Sequence, residues 1–107
     1  LDAFGRAIVS DPLVAEALEP GDGIGLAAAA FREGATDVAS QHLRAAVDRS
    51  PNRSELHRLL GSILLTDRRD EESLKELQLA VRLSPKDERT QLALSDALVE
   101  LLRQLVD

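Results

Sequence analysis

Residues 20–53 and 54–87 repeat one another at an offset of 34. Leu26 falls over Leu60, Ala27 over Gly61 and Phe31 over Leu65. Further along, Leu43 meets Leu77, Ala46 meets Ala80, Val47 meets Val81, and Ser50-Pro51 meets Ser84-Pro85. These are the small, large and chain-breaking positions that a packed pair of helices requires. A repeat of this length constrains the fold more than any other feature. Each unit is one supersecondary element that cannot bury its apolar face alone, so neighbouring units must stack.

Each unit reads as two helices. In the second unit Leu56, Leu59-Leu60 and Ile63-Leu64 recur at three and four residues, an apolar stripe of helical period. Asn52 and Glu55 have the spacing of a capping box at its start. Thr66-Asp67-Arg68-Arg69 is a polar break, after which Leu74, Leu77 and Ala80-Val81 resume the stripe. Glu71 and Glu72 stand in the first turn, where the helix dipole favours acids. Ser84-Pro85 ends this helix, because the residue before a proline is driven out of helical geometry. In the first unit Gly34 closes a helix, Thr36 is placed to cap the next, and Ala39, Leu43, Ala46 and Val47 form its inward face. Residues 88–107 form one last helix with Leu94, Leu98, Leu101 and Leu105 at spacings of four, three and four.

Composition agrees with helices. Of 107 residues only Phe4 and Phe31 are aromatic, so the core is built from Leu, Ala, Val and Ile. A net charge of -6 argues against a nucleic-acid partner, since phosphate neutralisation needs a positive surface. The absence of Cys removes disulfide and thiol chemistry and fits the cytoplasm. No apolar run reaches the length of a membrane span, so membrane insertion is not expected. The chain opens on Leu and is read as a fragment of a longer polypeptide.

With these residues in view, the chain resembles the tetratricopeptide repeat family. That family's unit carries a Leu-Gly pair in its first helix, a small and then a large residue early in its second, then an Ala and a closing Pro. Leu60-Gly61, Ser73, Leu77, Ala80 and Pro85 match the series, as do Leu26-Ala27, Gly34, Ala39, Leu43, Ala46 and Pro51. Phe4, Ala7, Ile8 and Asp11-Pro12 resemble the end of a preceding unit. His57 replaces the usual bulky aromatic and Arg68 the turn glycine. The resemblance implies an all-α, right-handed superhelical array of antiparallel helix hairpins, with about 6–7 helices. It divides a single domain into a partial repeat at 1–19, a Gly-rich insertion at 19–25, repeats at 20–53 and 54–87, and a capping helix at 88–107. The insertion accounts for the longer spacing from Pro12 to Pro51, and its glycines are expected to mark where a helix is interrupted or restarted at the groove's edge.

Candidate chemistry is sparse. Gly21, Gly23 and Gly25 approximate a dinucleotide turn, but Leu26 stands where a third glycine is needed and Leu13 to Leu18 reads as helix rather than strand. His42 and His57 have no acid three or four residues away and no Cys to complete a metal set, so His57 is read as a packed structural residue. Paired acids at helix starts do not face one another across a pocket. Neither catalysis nor a cofactor is expected.

The resemblance instead implies a groove, lined by the first helices of successive units, that holds a peptide or protein segment. It maps groove positions onto Ile24, Ala28, Phe31 and Arg32, then Arg58, Ser62, Leu65 and Thr66, then Leu92, Asp96 and Val99. Phe31, Arg32, Arg58, Ser62, Leu65 and Asp96 are the candidate binding residues, an apolar patch at Phe31 flanked by Arg32 and Arg58. Phe31 has a second reading as core beside Ile24 and Ala35. The alternative function is structural: a spacer, or a weak homo-oligomer paired through the C-terminal leucine seam.

Overall fold

A computed structural model describes residues 3–9, 11, 14 and 23–106. Among them the chain is all-helical, with six helices: α1 (Ala3–Val9), α2 (Gly23–Arg32), α3 (Thr36–Arg49), α4 (Ser54–Thr66), α5 (Asp70–Leu83) and α6 (Glu88–Val106). The helix bounds of α3 and α5 differ by 34 residues at both ends. α2 packs on α3, α3 on α4, α4 on α5 and α5 on α6. Short connections between packed neighbours make α2/α3 and α4/α5 antiparallel hairpins.

The two hairpins turn in the same way, down to single hydrogen bonds. At the end of α2 the Gly34 amide donates to the Phe31 carbonyl (3.0 Å) and the Ala35 amide to the Ala30 carbonyl (2.9 Å). At the end of α4 the Arg68 amide donates to Leu65 (3.1 Å) and the Arg69 amide to Leu64 (2.9 Å). Both are Schellman closures, which put one residue in the left-handed region. Gly34 takes φ 84° there without cost, as its sequence position leads one to expect. Arg68 takes φ 63° despite its side chain. The second helices also end alike, with Ser50 at φ -140°, ψ 70° and Ser84 at φ -139°, ψ 74°, each just before its proline.

The starts of α3 and α4 depart from the sequence expectation. Ala35, not Thr36, is the cap residue of α3, and Thr36 uses its hydroxyl to donate to Asp67 across the hairpins (2.9 Å). The Asn52–Glu55 capping box does not form; Arg53 is the cap residue of α4 without a side-chain bond. At the start of α3 the break residue is thus spent on joining units rather than on closing its own helix, while Glu55 lies 3.6 Å from Arg53 beside it. Gly23 is the first described residue of α2, against Ala46 of α3, and Gly25 lies within the helix, so Gly25 does not interrupt it. The rest of the expected insertion, Pro12, and Leu13 to Leu18 apart from Val14 lie outside the described residues.

The core follows the predicted stripes. Leu43, Leu56, Leu59, Leu60, Ile63 and Leu64 bury their side chains in one cluster that also takes Ile8 and Val14. Leu65, Leu77 and Ala97 form a second cluster, with Leu94 and Leu101 partly buried against it. Small residues set the closest approach. A Cβ on Gly61 would lie 2.7 Å from Leu77 Cγ, so only glycine lets α4 and α5 come this close. The same proximity lets the Ser73 hydroxyl donate to the Gly61 carbonyl (2.7 Å). Among the described residues no helix is long and apolar enough to cross a membrane.

Candidate functional site

α1, α4 and α6 enclose a cleft of about 210 Å³. α1 packs chiefly against α4 among the described residues, and α6 reaches α4 as well as α5. The cleft brings together Arg58, Ser62, Leu65, Leu92 and Asp96, five of the positions that the resemblance maps onto a groove. Ile8, Leu59 and Ala93 add apolar wall, while Asp11 and Arg89 add charge. Ser62 is half-buried; Arg89, Leu92 and Asp96 are exposed at the mouth.

Other expected groove residues lie elsewhere. Phe31 is only 3 % exposed and belongs to the main core, so its second reading, as core, is the one observed. Ile24 and Ala28 are buried with it. Arg32 is exposed in the last turn of α2 and does not line the cleft. Thr66 donates its hydroxyl to the Ile63 carbonyl (2.7 Å). Val99 is exposed but outside the cleft wall.

Arg58 lines the cleft yet is only 6 % exposed, which removes it as a freely available anchor. Its Nη2 donates to both carboxylate oxygens of Asp11, at 3.1 and 3.0 Å. Its Nη1 lies 3.5 Å from Oδ2 of Asp87. A buried cation needs such partners, because desolvation without them costs several kcal/mol, on the order of 3–5 when one partner is removed. Arg58 therefore ties the segment after α1 to α4 and to the start of α6. Its charge is already spent on the fold.

Asp87 stands just before α6 and caps it. Its Oδ1 accepts the Arg89 amide (3.1 Å) and its Oδ2 accepts the Thr90 hydroxyl (2.9 Å). The Thr90 hydroxyl above all holds this carboxyl below its ordinary value of 3.8, helped by the Arg89 amide and Arg58 and opposed by partial desolvation.

His57, next to Arg58, is buried as its packing position leads one to expect. Its Nδ1 lies 2.7 Å from Oε2 of Glu76 and its Nε2 2.7 Å from the Pro51 carbonyl. Both ring nitrogens are thus engaged in joining α4 to α5 and to the loop before α4, which leaves neither for a substrate or a metal. Among the described residues no group of three or more His, Asp or Glu side chains is arranged to hold a metal ion.

Sequence reasoning missed Arg89 and Ala93 as cleft residues, although both lie on the same turn-by-turn face as Leu92 and Asp96. It placed Ile8 and Asp11 at the end of a preceding unit, and nothing local in the sequence connects them to Arg58. No model of a known protein family matches the chain, and neither does any curated protein.

Proposed function

We propose that this chain is a non-catalytic binding module of tetratricopeptide-like build. In this reading a right-handed superhelical stack of helix hairpins takes a peptide or protein segment on the face of α4 and α6. The observation that carries it is the convergence of Ser62, Leu65, Leu92 and Asp96, drawn from two successive first helices, on one cleft. The identical turns 34 residues apart support the repeat itself.

The cleft's size favours a side chain over a cofactor. At about 210 Å³ it falls below the ~300–1,000 Å³ usual for small-molecule sites. Its buried wall is apolar around the Arg58–Asp11 ion pair, and its mouth carries one charge of each sign, Arg89 and Asp96. The fitting occupant is a peptide segment with one bulky apolar anchor, an acidic neighbour towards Arg89 and a basic one towards Asp96. Phe31 and Arg58 support the scaffold in this reading and do not touch the partner.

Selection of a displayed random-peptide library on the protein tests it. Selected peptides are expected to converge on that pattern and to bind Leu92→Lys and Asp96→Lys variants at least about tenfold more weakly, with an unchanged helical circular-dichroism spectrum. Equal binding to the variants, or no convergence, overturns the assignment. A structural or self-associating role draws on the exposure of Leu98 and Leu105, but Leu94 and Leu101, the other half of that seam, already pack into the core.

A further inference from the structure

The outer face of α6, on the side away from the cleft, has a counterpart on α4. α6 begins at Glu88 and α4 at Ser54, again 34 residues apart. Leu94 is then equivalent to Leu60, Ser95 to Gly61 and Leu98 to Leu64. The first unit has Leu26, Ala27 and Ala30 at the same places. A small residue thus recurs, at 27, 61 and 95, in the place where Gly61 meets α5.

On α4 this face is covered. Leu60 and Leu64 are buried, and Leu77 of α5 lies directly over Gly61. On α6 the equivalent face is open: Ser95 is exposed, Leu98 is 45 % exposed, and Leu102 and Leu105 beyond it are 61 % and 82 % exposed. A run of exposed leucines on one helix marks a surface for another protein element.

The same structure twice shows what covers such a face. α3 buries Ala39, Leu43 and Ala46, with Ala46 against Gly23 of α2, and α5 buries Ser73, Leu77 and Ala80, with Ser73 and Leu77 against Gly61 of α4. The stripe is a small residue, a leucine four positions later and an alanine three after that. We propose that α6 is the first helix of a third hairpin, and that its outer face binds a partner helix carrying this stripe. A second copy of α6 fits less well. The same spacing on α6 reads Leu94, Leu98 and Leu101, and large side chains at the small positions hold two axes apart. This inference rests on the 34-residue register and not on the cleft.

A peptide with the sequence of residues 68–86 supplies the stripe in trans. A lactam between Glu71 and Lys75, both exposed and four residues apart, fixes it as a helix, since so short a segment is marginal in water. Labelled peptide titrated against the intact protein is expected to give saturable anisotropy. Leu98→Asp in the protein, or Leu77→Asp in the peptide, is expected to weaken binding at least about tenfold, while Leu92→Lys leaves it unchanged. Absence of saturable binding overturns the proposal. Binding that survives Leu98→Asp also overturns it, because it reports exchange of the peptide for α5 on α4. A wild-type protein that sediments as a dimer, made monomeric by Leu98→Asp, overturns it in favour of a second copy.

Discussion

The hairpins α2/α3 and α4/α5 share one backbone and differ in what they bury. Position by position, Gly23 of the first corresponds to His57 of the second, and Ile24 to Arg58. All four are buried. The first hairpin thus fills these places with a small and an apolar residue, the second with two ionisable ones. His57 engages Glu76 and the Pro51 carbonyl, and Arg58 engages Asp11 and Asp87. The repeat dictates where the chain turns and which positions face inward. The residue standing at an inward position decides whether it packs on neighbours or fastens to distant segments.

The largest effect expected from breaking this contrast is at Arg58. Arg58→Ala takes the guanidinium away from the buried Asp11 carboxylate and is expected to cost about 3–5 kcal/mol in urea unfolding. Adding Asp11→Asn should recover part of that loss, since the second change removes the carboxylate charge that Arg58 balanced. Ile24→Ala at the equivalent place costs about 2–5 kcal/mol as a cavity, and no charge change at Asp11 relieves it. Equal, additive behaviour at the two positions would erase the distinction between packing and fastening.

A smaller effect attaches to Asp87. Its folded-state pKa lies below its unfolded value, so its contribution to stability is complete above the ordinary aspartate range and disappears as pH falls through the folded value. Asp87→Asn keeps the capping geometry and is expected to flatten the dependence of the urea midpoint on pH between about 5 and 3. An unchanged slope in the variant removes Asp87 from the acid response.

The smallest effect sharpens the one place where the two turns differ in strain. Arg68 holds a left-handed conformation that Gly34 takes freely. Arg68→Gly is expected to gain about 0.5 kcal/mol, the relief of left-handed strain partly offset by the greater freedom of the unfolded chain. Gly34→Ala should lose about 1 kcal/mol. Thermal melts of the two variants moving in the same direction would refute the equivalence of the turns.

What the sequence made legible was local. The stripes of α3 to α6, the Ser-Pro endings and the glycine at position 34 each depend on neighbours within a turn or two, and the helices fall where those signals place them. The cleft was legible in part, because the resemblance carries groove positions onto Ser62, Leu65 and Asp96, and these three line it. Arg58 was placed on the correct face and given the wrong occupation. Its partners lie 47 residues before and 29 after it, and no pattern in the intervening chain announces either pairing. The caps failed for a related reason. Thr36 has the chemistry to close its own helix, but Asp67 competes for the hydroxyl from the next hairpin.

A stack of hairpins touching only their neighbours unfolds like a string of loosely coupled units, fraying from either end. The ion-paired node at Arg58 changes that behaviour. By binding Asp11 and Asp87 to one guanidinium it bridges the start of the described chain to its final helix across the second hairpin. Peeling α1 or α6 away exposes a buried charge in the middle, so each end resists fraying on behalf of the other.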